Sequence, residues 1–230
     1  MSQAAIAVSA GFVVTHRPRW LVVSFDEPVR ACSWAVVGGG IVQARHVAWL
    51  EVRNADLGPS VDPKHLLLER FRAAGLEPGV GLLTSRPVAT YTESTVTLHG
   101  TTAYCLATVG LGNALRAGDP AVPSPGIGTI NLLAYVDVPL SDEGLLEASA
   151  IATEAKCAVV LEAGLRSRES GRPATGTGTD CSVVTSAGGG RFTRLETYAG
   201  KHTLAGSVVG AAVERAVGEG VHRWLKDVGL

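Results

Sequence analysis

The order in which strand-like and helix-like segments follow one another constrains this chain most. Residues 1–54 read as β structure before any helix appears: Trp20 to Phe25, Ala31 to Val37 and Ile41 to Val52 are rich in Val, Ile and Trp. Gly38-Gly39-Gly40 lies between the last two runs, where positive φ would close a hairpin; an anion cradle is the other reading of such a run. Asp62 precedes a helical pattern from Lys64 to Ala74, with Leu67, Leu68, Phe71 and Ala74 on one face and Gly75 at its end. Gly79 to Thr84, Ser94 to Leu98, Ala103 to Val109 and Thr129 to Val138 read as further strands. Ser141-Asp142-Glu143 opens a long helix to about Leu165, and a second runs from Thr203 to about Lys226, with a short strand at Ser182 to Thr185 between them. Strands that come in runs exclude a regular βα alternation. The expected fold is therefore α+β, a layered sandwich of antiparallel or mixed β-sheet covered by long helices, with a doubly wound parallel sheet as the alternative.

Two stretches resist regular structure. Gly118 to Gly128 carries Pro120, Pro123 and Pro125 and is expected to be a loop. Arg166 to Gly178 is polar and glycine-containing, and Gly188-Gly189-Gly190 reads as another turn. The 230 residues suit one domain spanning 1–230.

Charge and composition remove several function classes. A net charge of -1 offers no field for nucleic acid or an anionic membrane. No apolar run approaches the roughly 20 residues that span a bilayer, and the N-terminus lacks a signal-peptide pattern, so a cytoplasmic protein is expected. Cys32, Cys105, Cys157 and Cys181 are widely spaced with no C-x-x-C, and the six histidines form no H-x-x-x-H pair. Reduced thiols and no metal site are expected.

The chemistry concentrates in Ala174-Thr175-Gly176-Thr177-Gly178-Thr179-Asp180 and in Tyr198-Ala199-Gly200-Lys201-His202. Glycines let backbone N–H groups face a ligand, threonines add hydroxyls, and an Asp/His pair moves protons near neutral pH. The first stretch is no P-loop, since no Gly-Lys-Ser/Thr follows, and a strand rather than a helix comes after it, which also excludes a dinucleotide fingerprint. A plain solvent loop is its bland reading. His202 stands where the last helix begins, a place that suits a general base, with Asp180 as the partner that fixes its tautomer. The alternatives are a histidine packed beside Tyr198 and an Asp that caps a turn. Glu154 and Lys156 read as an exposed charged helix face, Arg166, Arg168 and Arg172 as a solvated loop, and Cys181 as a buried, inert thiol.

Five segments in order resemble the adenosylcobinamide amidohydrolase family of corrinoid salvage: Ala107 to Ala114, Gly128 to Asn131, Ala152 to Lys156, Ala174 to Asp180, and Gly200-Lys201-His202. The resemblance implies hydrolysis of the amide joining the aminopropanol arm to the corrin ring of adenosylcobinamide, giving adenosylcobyric acid and aminopropanol. It implies catalytic roles for His202, Asp180, Thr177, Thr179 and Glu154, and substrate binding by Gly176, Gly178, Asn113, Asn131 and Gly200. No cofactor is implied, because the cobalt belongs to the corrinoid substrate, and that small molecule is the expected partner, with a homo-oligomer left open. Lys201 departs from the small residue of the family pattern. A corrinoid-binding protein without catalysis and an amidase for a non-corrinoid amide are the rival readings. In the expected mechanism His202, oriented by Asp180, activates water or a threonine hydroxyl, and N–H groups of the Gly176 to Thr179 loop hold the oxyanion.

Overall fold

A computed structural model of the chain describes residues 5–8, 11–58, 60–121, 128–188 and 194–229. Among them runs a nine-stranded mixed sheet. Its main path joins β1 (Ala5–Val8), β2 (Phe12–Arg17), β3 (Trp20–Ser33), β11 (Cys181–Ser186), β9 (Ile130–Val136), β7 (Thr101–Val109) and β6 (Thr92–Leu98). β4 (Gly40–Glu51) pairs with β3, and β5 (Gly79–Thr84) pairs with β4. Two pairings are parallel, β9 with β11 and β4 with β5, and the other pairings of this sheet are antiparallel.

Side-chain alternation shows how the layers stack. Along β9, Ile130, Leu132, Ala134 and Val136 face one core while Leu133 and Tyr135 face another. β7 alternates in the same way, with Ala103, Cys105 and Ala107 on one side and Tyr104 and Leu106 on the other. The first core is closed by α2 (Asp142–Glu162) and α3 (Leu204–Val228). The second also collects Leu21, Val23, Val47 and Trp49 from β3 and β4, so the two halves of the sheet face each other across it. The opposite faces of β3 and β4, through Val22, Ala48 and Leu50, pack on Leu67 and Phe71 of α1 (Pro63–Ala73). The result is the layered α+β sandwich with helices outside and sheet inside. Because β7 and β9 are buried on both faces, they read as nearly unbroken apolar runs.

Local chemistry sets the helix ends. The Ser141 hydroxyl accepts from Gly144 N–H at 3.2 Å, and Thr203 Oγ1 accepts from Gly206 N–H at 3.0 Å, each satisfying an otherwise orphaned donor. Asp62 caps α1, and Gly229, at φ 76°, ends α3.

Two expectations are corrected. The separate strands Trp20 to Phe25 and Ala31 to Val37 are one strand ending at Ser33, and residues 34–37 belong to the connection to β4. Pro28 brings no N–H to the ladder, and the pairing slips from Ser24–His46 to Val29–Ala44 around it without ending the strand. Gly38 does take φ 71° in the connection, where a Cβ would lie 2.4 Å from the Gly79 carbonyl oxygen. The expected loop at Thr175 to Asp180 contains a short strand, β10 (Gly176–Thr177), paired with β8 (Ala114–Leu115). Pro123, Pro125, Gly189 and Gly190 lie outside the described residues.

Candidate active site

The register of the sheet gathers the site. Antiparallel β7 places Thr108 opposite Asn131 at the start of β9, and parallel β11 places Cys181 opposite the same residue. The segment entering β11 is the Thr-Gly run, so its last residue, Asp180, meets the entrance of β9. There the Asp180 carboxylate accepts four hydrogen bonds. Oδ1 takes the Ile130 N–H at 3.0 Å and the Thr177 hydroxyl at 2.5 Å; Oδ2 takes the Thr177 N–H at 3.0 Å and the Lys156 ammonium at 2.5 Å. Both ion-pair side chains are nearly buried, at 9% and 10% exposure. A carboxylate offers about four lone-pair sites, and here all are filled.

Gly176 makes this convergence possible. A Cβ there would lie 2.2 Å from Asp180 Oδ2 and 2.7 Å from Lys156 Nζ, so the ion pair occupies the space a side chain would need. Thr179 is fixed at both ends: its hydroxyl donates to the Gly128 carbonyl at 3.2 Å, and its own carbonyl accepts from the Thr129 hydroxyl at 2.9 Å. Asn131 lies beneath, accepting from Thr129 Oγ1 at 3.1 Å and donating from Nδ2 to the Leu83 carbonyl at 2.6 Å. The Asn113 carbonyl accepts from Gly178 N–H at 3.3 Å. Thr177 is half-buried, while Gly178 and Thr179 reach the surface.

The expected site thus divides into two groups. Asp180, Thr177, Thr179, Gly176, Gly178, Asn113 and Asn131 come together around the strand ends. Glu154 is elsewhere: it forms an exposed ion pair with Lys201. Two residues along an α-helix turn the side chain by about 200°, so Glu154 and Lys156 leave α2 on opposite sides. Gly200 serves the entry to α3, its carbonyl accepting from the Thr203 hydroxyl at 2.8 Å. His202 is exposed, and among the described residues no hydrogen bond joins it to Asp180. The expected Asp180–His202 pair is not formed because the carboxylate has no acceptor site left. The expectation that loop N–H groups stand ready for an oxyanion is also revised, since those of Thr177 and Gly178 are bound within the site. The N–H of Thr179 reaches Thr177 Oγ1 only at 3.5 Å and retains donor capacity.

Lys156 is the residue that sequence reasoning misplaced. Its neighbour Glu154 and its own charge place it on an exposed face in the sequence, yet it is 7% exposed. Its signal was its spacing, four residues after Ala152 and three or four before Val159 and Val160, all buried on α2. Cys181 behaves as expected of a buried thiol. Burial pushes it up to about 11, only partly offset by its contact with the Ser33 hydroxyl at 3.8 Å. Among the described residues no group of His, Cys, Asp and Glu is arranged to hold a metal ion. No helix among them is long and apolar enough to cross a membrane.

Comparison with known proteins first gives a class: the family model that matches this α+β chain is one of amidohydrolases. More narrowly, the family model described as adenosylcobinamide amidohydrolase matches residues 6–229, and the chain belongs to that family. An uncharacterized protein of Methanocaldococcus jannaschii is 36% identical over 97 residues, a match covering 42% of this chain and 36% of that protein, so the chain spans little more than a third of its length. Among solved structures, a Burkholderia sp. β-aminopeptidase aligns with TM-score 0.46 and 15% identity, covering 92% of this chain and 79% of that one. The L-aminopeptidase D-Ala-esterase/amidase of Ochrobactrum anthropi aligns with TM-score 0.42 and 13% identity, covering 90% and 78%.

Proposed function

We propose that this amidohydrolase cleaves the amide between the aminopropanol arm and the corrin ring of adenosylcobinamide, releasing adenosylcobyric acid and aminopropanol for cobamide salvage. The observation that carries the mechanism is the Thr177 hydroxyl, half-buried at the mouth of the site, with its proton directed at Asp180 Oδ1. An internal threonine has no free α-amine as its base, and Asp180 supplies one in its place.

In this reading Thr177 Oγ attacks the amide carbonyl carbon while its proton passes to Asp180. The N–H of Thr179 stabilises the oxyanion. Asp180 returns the proton to the departing nitrogen, the C–N bond breaks, and aminopropanol leaves. Water then attacks the threonyl ester by the same proton path, freeing the corrinoid carboxylate and restoring the Thr177 hydroxyl. Lys156 holds the Asp180 carboxylate in position throughout. The cobalt belongs to the substrate, and these steps draw on no further cofactor.

Incubation of the purified protein with adenosylcobinamide, followed by mass spectrometry, tests the reaction. Adenosylcobyric acid and aminopropanol are expected in equal amounts. Thr177→Val is expected to abolish turnover with binding retained, and Thr177→Ser to restore it; full turnover by the valine variant would refute the nucleophile. Binding of the corrinoid by the wild-type protein without product would favour the non-catalytic rival.

A further inference from the structure

We propose that Trp34 is the platform on which the corrin ring of the substrate lies while its side-arm amide is at Thr177. The inference rests on the placement of the chemistry proposed above and adds a residue that no sequence motif marks. Trp34 follows directly on the end of β3 and is 53% exposed, whereas Trp49 is wholly buried and Trp20 and Trp224 are half-buried. A tryptophan left so far in solvent forgoes about half of the hydrophobic gain its size offers.

The side chain is nonetheless held. Its indole Nε1–H donates to the backbone carbonyl of Asp180 at 2.8 Å, tying the ring edge to the residue at the centre of the site. The backbone behind it is pinned as well: Ala35 N–H donates to Ser33 Oγ at 2.9 Å, and Val37 and Gly81 exchange hydrogen bonds at 3.3 and 2.9 Å. The indole's polar edge is used, and about half of the residue's surface is turned to water. Val36 and Ile41, 37% and 41% exposed, add apolar surface on the same hairpin.

The ligand chemistry that fits is a flat, conjugated, largely apolar ring system attached by a short arm to the reacting amide. In the substrate that body is the corrin macrocycle. The adenosyl group stands off the ring's face on the cobalt, further from the arm, so it is not the group assigned to Trp34.

Trp34→Ala and Trp34→Phe in the full chain test this. KM and kcat are measured with adenosylcobinamide, and Kd with dicyanocobinamide by equilibrium dialysis read from corrinoid absorbance. The alanine variant is expected to raise KM and Kd about tenfold, the scale of losing one stacking face. Its kcat should fall far less, and phenylalanine, which keeps a face but no N–H, should recover most of the affinity. Unchanged KM with reduced kcat would overturn the proposal by making Trp34 a support for the loop. A phenylalanine variant as weak as alanine, or a loss confined to the adenosylated ligand, would overturn it too. A wild-type protein that yields no product, with the alanine variant still weakened for dicyanocobinamide, would instead sink the hydrolytic reading and leave the platform standing.

Discussion

Replacing Lys156 by Met removes one charge from a pair whose side chains are 9% and 10% exposed. Breaking a buried pair from one side costs about 3–5 kcal/mol, because the remaining charge is left without its partner. Asp180 would keep the Ile130 N–H, the Thr177 N–H and the Thr177 hydroxyl, which places the expected loss near the lower end, about 3 kcal/mol. For a chain of this length that corresponds to a Tm lower by about 6–12 °C. Urea denaturation of the wild type, Lys156→Met, Asp180→Asn and the double variant gives the coupling directly. The double variant is expected to lose about 2 kcal/mol less than the two single losses together, since the pair is disrupted only once. Single losses that add to within about 0.5 kcal/mol would show that the two side chains do not act as a pair, and the account of the site would fail.

Gly176→Ala should lower stability by about 1–3 kcal/mol and depress turnover, because its Cβ would stand 2.2 Å from Asp180 Oδ2; a wild-type melting curve and rate would contradict the close approach. His202→Ala should keep most of its turnover, as Asp180 is engaged elsewhere, and a loss of about a hundredfold or more, the scale of a missing general base, would return the proton chemistry to His202. Cys181, pushed up to about 11 by burial, should stay protonated at pH 8, so that peptide mass spectrometry after alkylation finds Cys157 modified well before it. Its folded value lies above the unfolded 9.0, so its contribution to stability is complete below pH 9 and is lost as pH rises toward 11. Cys181→Ser should flatten that part of the alkaline stability profile, and an unchanged profile would refute the assignment.

What could be read in the sequence was what short-range chemistry decides. The caps Ser141 and Thr203 and the apolar stripes of α2 and α3 located the long helices, because a hydroxyl and a periodic face act within a few residues. The Thr-Gly run likewise announced itself by composition. Trp20 to Phe25 and Ala31 to Val37 read as separate strands, yet β4 stays beside β3 and pairing resumes at Val29 after Pro28; only the distant partner decides that. Asp180 looked like a partner for His202 because both are acid–base groups in neighbouring loops. Four donors from α2, β9 and its own loop fill it first, and that competition lies in tertiary placement. Lys156 was legible from its register on α2 but was outweighed by the general rule that lysines face water.

The four hydrogen bonds on Asp180 come from three places far apart along the chain: Lys156 in α2, Ile130 in β9 and Thr177 in the β10 segment. No fragment holding only one or two of these segments can complete the set of hydrogen bonds on Asp180. Turnover should therefore report the cooperative fold as a whole. During refolding it should return together with the global spectroscopic signal, and a chain lacking any one of the three segments should show no turnover.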